Sequence, residues 1–336
     1  MIVAAHGVPT ETLEVESQLR AAGLPDSQIG AAKAGVLVTR LIPATEDNAA
    51  FVAGAVRISS PTRAFAEEIR HIGVTLPSPE GRVLQSGRFK NPPSPEDLQP
   101  LRVEGQDLKD LRRCRVGDCD VQVGRHTMDL ARGMEAPRAG SDLQAEQLVK
   151  SILLERARAY LRNGSQAMAI YDDGTHPESA GAGFARILSS STPLLRLNPS
   201  FYEYLRGFPV APRPTNLEDF VYWSKDRVLK PVVSIVHALL QSENGSDGPC
   251  YFVALKHIYD SHYFLAYVEF QAAIPERGST NSFYLVRSVR ALINPPRGLF
   301  RGLLLGRIKR AMRDQLGEDM ARAKERLEAA ARSAPR

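Results

Sequence analysis

Three long apolar runs dominate the C-terminal third of the chain: residues 232–240, 251–274 and 283–293. They are rich in β-branched and aromatic residues and are separated by turn formers, Asn244-Gly245-Ser246-Asp247-Gly248-Pro249 and then residues 275–281. That is the pattern of antiparallel strands joined by hairpins. After Pro295-Pro296 the apolar period lengthens from two to nearly four, and Leu304, Ile308, Met312, Leu316, Met320, Ala323 and Leu327 form one stripe. A helix with such a stripe must bury it, and the sheet just formed is the nearest surface. The expected fold is α+β: a curved antiparallel sheet gripped by a long C-terminal helix.

Further strands are expected at 35–42 and 49–58, as a hairpin around residues 43–48, and at 83–89 and 120–123. Ser59-Ser60-Pro61 reads as a helix start, with a serine N-cap and proline at the first position. From Thr127 to about Arg227 the pattern is mostly helical, with pieces at 128–134, 141–162, 184–188, 201–205 and 217–223, and with Gly181-Ala182-Gly183 as a loop. The expected division is a helical extension (1–34), a first part of the gripped sheet (35–126), a helical insertion (127–228) and a second part with the long helix (229–336).

Composition excludes some classes. With 336 residues, 43% hydrophobic and 24% charged, the chain is neither disordered nor fibrous, and no apolar run free of charged residues approaches the roughly 20 residues that span a bilayer. The net charge of +5 arises mostly in the last helix, where Arg301, Arg307, Lys309, Arg310, Arg313, Arg322, Lys324 and Arg326 are partly offset by acids. This reads as a solvated face; a membrane surface is the alternative partner, and nucleic acid is not expected. Met1 to Gly7 lack the basic start and full apolar centre of a signal peptide.

Cys114 and Cys119 bracket Arg-Val-Gly-Asp and read as a small disulfide-closed loop, with free thiols or a metal or redox pair as alternatives. That pairing favours a periplasmic or secreted location over a cytoplasmic one.

The order of elements resembles the START-like helix-grip superfamily carrying a helical insertion. More locally, Leu111-Arg112-Arg113-Cys114-Arg115-Val116-Gly117-Asp118-Cys119-Asp120, Tyr222-Trp223-Ser224-Lys225, Lys230-Pro231-Val232-Val233-Ser234 and Lys256-His257-Ile258-Tyr259-Asp260-Ser261-His262-Tyr263-Phe264 are similar to a family of bacterial proteins without an established activity, many of whose members look exported. The fold analogy implies a cavity between helix and sheet that holds a lipid or another apolar ligand.

His257 and His262, with Asp260 between them, are the densest group of metal-capable side chains, and they could meet one metal only across a bend at 259–261; satisfied polar groups are the expected reading. Past that bend His262, Phe264, Ala266, Val268, Phe270 and Ala272 share one face, expected to meet the helix, with Tyr263, Leu265, Tyr267, Glu269 and Gln271 opposite. A buried Arg287 or Arg290 would need a carboxylate or phosphate partner. The cavity candidates are therefore His257, His262, Phe264, Tyr267, Phe270, Arg287 and Arg290. The chain has no Gly-x-Ser-x-Gly, P-loop, dinucleotide fingerprint or His-Glu-x-x-His, so no catalytic residue, metal or cofactor is assigned. Asn163-Gly164-Ser165 and Asn244-Gly245-Ser246 match the glycosylation sequon but read as turns. The expected function is a binding or carrier protein for an apolar or amphipathic, lipid-like molecule. The alternatives are a helix-grip enzyme of cyclase or hydrolase type, using His257, His262 or Asp260, and an interaction protein acting through the basic helix.

Overall fold

The structure, a computed structural model, describes residues 15–74, 82–103, 105–132, 141–174, 176–190, 198–294 and 301–333. Strands β1 (Val38–Ile42), β2 (Ala49–Ile58) and β3 (Val83–Arg88) come before the helical segments, with β4 (Ile170–Tyr171) and β5 (Glu178–Ser179) making a small ladder among those segments. Strands β6 (Leu217–Arg227), β7 (Pro231–Gly245), β8 (Gly248–Asp260), β9 (Phe264–Pro275) and β10 (Phe283–Ile293) follow. Both groups join one antiparallel sheet in the order β1-β2-β10-β9-β8-β7-β6-β3. The N-terminal strands thus sit at its two edges, β2 paired to β10 and β3 to β6.

The helices are α1 (Val15–Ala21), α2 (Asp26–Lys33), α3 (Thr62–Arg70), α4 (Gly105–Arg113), α5 (Arg125–Arg132), α6 (Ser141–Asn163), α7 (Ala180–Ser189), α8 (Pro199–Gly207) and α9 (Arg301–Ser333). One face of the sheet carries α3 and α9. There Leu305, Ile308, Leu316, Met320 and Leu327 are buried against Val52, Val56, Leu285 and Val289. Each such side chain contributes about 1.5–3 kcal/mol by burial, which is why the amphipathic stripe cannot stay in water. Gly54 of β2 lets the helix come close, since a Cβ there would stand 2.7 Å from Met320 Sδ. The opposite face is covered by α6, α7 and α8, and toward β1 and β2 by α1 and α2.

Several local expectations change. Residues 217–223 form the start of β6 and not a helix: Leu217, Val221 and Trp223 pack toward α6 and α8 while Tyr222 packs toward α3, a period of two. Residues 120–123 form no strand and pair with none among the described residues; Gln122 spends its backbone N–H and side-chain amide on the β8–β9 bend. Gly181-Ala182-Gly183 lies inside α7, N-capped by Ser179 Oγ accepting from the Ala182 N–H at 3.2 Å. Pro61, not a serine, is the N-cap of α3, and the Thr62 hydroxyl donates to the Pro249 carbonyl at 2.8 Å. The run 251–274 divides at the bend into β8 and β9, with Tyr263 at φ 69° closing the turn. The boundary at Pro295-Pro296 lies outside the described residues.

Candidate functional site

Cys114 and Cys119 are disulfide-bonded. The loop they close leads into a clasp over the β8–β9 bend. His262 donates from Nδ1 to the Asp120 carbonyl at 2.7 Å, and its Nε2 lies 3.1 Å from Asp107 Oδ2 on α4. Gln122 Nε2 donates to the Asp260 and Phe264 carbonyls at 3.0 and 2.8 Å. His262 therefore ties α4 and the segment after the disulfide loop to the sheet. His257 turns elsewhere: its Nδ1 is 2.7 Å from Asp260 Oδ1, and the same oxygen accepts from the Ser234 hydroxyl at 2.5 Å. The two histidines do not converge, and among the described residues no group of three or more His, Cys, Asp or Glu could hold a metal ion.

Between α9 and the sheet lies a cleft of about 80 Å³. Its walls are apolar, with Phe264, Val289, Ile308, Met312 and Leu316 among them, and Tyr267, Arg82, Asp319, Glu269 and Arg287 bring in polar groups. Arg287 pairs with Glu269 at 2.5 Å, and Arg82 approaches Asp319 at 3.5 Å. Burial alone would make Arg82 and Arg287 shed protons, yet the surrounding acids and phenols hold both above the ordinary guanidinium range. Asp226, near Arg82 and accepting from the Ser224 hydroxyl at 2.7 Å, is pushed up by desolvation against the pull of Arg82. This side of the sheet answers its buried cations with acids.

The face under the insertion is different. Sheet register places His237 of β7, Lys256 of β8, Val268 of β9, Arg290 of β10 and Phe51 of β2 in one row across the strands. His237 is held by Tyr160 of α6, whose hydroxyl donates to Nδ1 at 2.9 Å, and by Asp219 of β6, 3.3 Å from Nε2. Asp219 also receives the Tyr204 hydroxyl at 3.0 Å and Arg213 at 2.7 Å. Burial would raise Asp219, but His237, Arg213 and Tyr204 together draw it down to about 2. Burial lowers His237 in spite of that carboxylate, so the ring stays neutral, Nε2–H donating and Nδ1 accepting.

Lys256 is wholly buried, its Nζ 2.6 Å from Ser165 Oγ and over the Phe184 and Tyr160 rings at 3.9 and 4.9 Å. With no carboxylate beside it among the described residues, desolvation pushes its amine down to about 7. Arg290, 5% exposed, lies over the Phe51 ring at 4.6 Å with its Nε unpartnered, and burial alone lowers it to about 10.

Of the residues singled out from sequence, the structure brings Phe264, Tyr267 and Arg287 together in the cleft under α9. His257 lies against Tyr267, ring centroids 4.2 Å apart and planes tilted by 43°, and His262 belongs to the clasp. Phe270 and Arg290 face the insertion; Phe270 lines a second cavity of about 40 Å³ with Gln18, Asn198 and Ser288. The alternation read through 262–272 is thus out of phase. A bulge opposite Leu292 and Ile293 resets it, so Ala266, Val268 and Phe270 pack toward α6 and α7 while Tyr267 and Glu269 meet α9. Sequence reading gave no role to His237, Lys256, Ser165, Tyr160 and Asp219; Ser165 stood only as part of a turn and Lys256 only inside a motif. Their one signal was His237 and Lys256 set within mostly apolar runs. The chain matches no family model, no curated protein and no solved structure.

Proposed function

We propose that this chain is a binding protein for a small amphipathic molecule, held between α9 and the sheet. The observation that carries the reading is the cleft itself: apolar walls with the Arg82, Asp319, Glu269 and Arg287 charges at hand, the composition that fixes and orients such ligands. The resemblance to helix-grip proteins, in which this interface holds a lipid, supports the same location. At about 80 Å³ the space is far below the roughly 300–1,000 Å³ of pockets enclosing drug-sized ligands, so a short acyl chain or a compact ring fits without moving the helix. The Cys114–Cys119 bond suits an oxidising compartment, periplasmic or secreted.

The test is displacement of anilinonaphthalene sulfonate by a series of carboxylates on wild type and on Met312→Trp, which fills the cleft. Hexanoate and octanoate are expected to displace the dye better than palmitate, with displacement lost in Met312→Trp. Equal displacement from both proteins, or none from either, defeats the proposal.

A further inference from the structure

The cleft under α9 leaves the Lys256 cluster on the opposite face without a role. Lys256 has one hydrogen-bond partner among the described residues, the Ser165 hydroxyl. Ser165 sits in the 3-10 turn Gly164–Ala167 just after α6 and is partly exposed, whereas Lys256 behind it is sealed from solvent. The turn is wedged from two sides. Gly164 has φ +60°, and a Cβ there would fall 1.8 Å from the Phe208 carbonyl oxygen; a Cβ on Gly181 of α7 would fall 2.4 Å from the Ser165 carbonyl oxygen. Two glycines thus fix the serine against the amine. The Tyr160 ring beside Nζ is in turn fixed by His237 and Asp219.

We propose that Ser165 and Lys256 form a nucleophile and general-base pair that carries acyl transfer on small ester or thioester substrates. Such a pair needs a hydroxyl within hydrogen-bond reach of a base that is neutral near physiological pH. The 2.6 Å contact provides the first, and the desolvated amine, pushed down to about 7, provides the second.

In the first half-reaction the Ser165 oxygen bonds to the acyl carbon as Lys256 takes the hydroxyl proton. The carbon's bond to the alcohol or thiol then breaks, and that group leaves with the proton from Lys256. In the second half a water gives its proton to Lys256 and attacks the acyl-serine, releasing a carboxylic acid and restoring the Ser165 hydroxyl. His237 touches neither partner's reacting atom; through Tyr160 it is a positioning residue.

An alkyl fluorophosphonate tests the pair directly, since attack by Ser165 forms a serine–phosphorus bond and expels fluoride. The expected result is a single adduct by intact mass, mapped to the peptide holding Ser165, forming faster as pH rises through about 7. Ser165→Ala should form none. Lys256→Met should slow labelling by about 10²–10⁴-fold, the range of a general base. Methionine keeps the lysine's volume without its amine, and volume-conserving swaps in an apolar site are tolerated, so a melting curve can verify the fold of that variant. An unmodified Ser165 in wild type, or labelling of Lys256→Met at the wild-type rate, would overturn the assignment. Hydrolysis of 4-nitrophenyl acetate with a presteady-state burst, lost in Ser165→Ala, is the second readout if Lys256→Met fails to fold.

Discussion

The two faces of the sheet treat buried charge in opposite ways. Under α9, Arg287 meets Glu269 and Arg82 meets Asp319, and a cleft stays open beside them. Under α6 and α7, Lys256 and Arg290 meet no carboxylate among the described residues, and aromatic rings close over them. An ion pair satisfies itself and is compatible with a structural role, whereas an unpaired cation in an apolar wall costs stability that the fold must recover elsewhere. The lesson is that the face with more charges is the better neutralised one. The face that looks apolar in sequence holds the more reactive group.

The contrast can be broken at its strongest point first. Glu269→Ala strands Arg287 in the cleft and should lower unfolding stability by about 3 kcal/mol in urea denaturation. A loss as small as that of an exposed pair would mean that the α9 side is wetter than its geometry implies. Lys256→Met tests the other face through pH. The unfolded chain keeps the lysine proton to about 10.5 and the folded one releases it near 7, so the unfolded state binds more protons between these values and wild-type stability rises with pH across them. Relative to Lys256→Met, that gain should approach about 1.4 kcal/mol per pH unit, read from melts between pH 7 and 9, below the tyrosine range. A flat difference between the two proteins removes the buried-amine account.

The clasp gives a third, smaller test. Replacing Cys114 and Cys119 together by serine opens a short loop and should cost about 2 kcal/mol, with faster hydrogen exchange at the β8–β9 bend that Gln122 and His262 hold. The least effect is expected of Arg290→Met. No ion pair among the described residues is lost, so stability should change by less than about 1 kcal/mol or increase. A large loss there would show that Arg290 has a partner and that the two faces are alike.

Much of the architecture was legible because it is local. The stripe from Leu304 to Leu327 and the turn residues at 244–249 report helix and hairpin by their own period and chemistry. Residues 217–223 were not: Leu217 and Val221 are four apart and Leu217, Val221 and Trp223 are also in phase at two, so one apolar pattern serves helix and strand. Gly181 and Gly183 suggest a break when read alone, yet they sit in α7, where a Cβ at Gly181 would fall 2.4 Å from the Ser165 carbonyl oxygen and Gly183 packs closely on Leu265 and Ala266. The candidate site was less legible still. Tyr160 and His237, or Ser165 and Lys256, stand 77 and 91 positions apart, and nothing in their neighbourhoods encodes the pairing.

By itself, then, the sequence determined that a twisted stack of apolar strands would be closed by a long amphipathic helix, since burying those periodic faces is forced by water alone. Tertiary structure decided which face each charge would occupy. One bulge in β9 reverses the phase of everything beyond it, and the register of β7, β8, β9 and β10 sets His237, Lys256 and Arg290 in one row, with Val268 between the two cations. Such juxtapositions depend on where distant strands pair, and that is fixed by the packing of the whole sheet rather than by any segment of it.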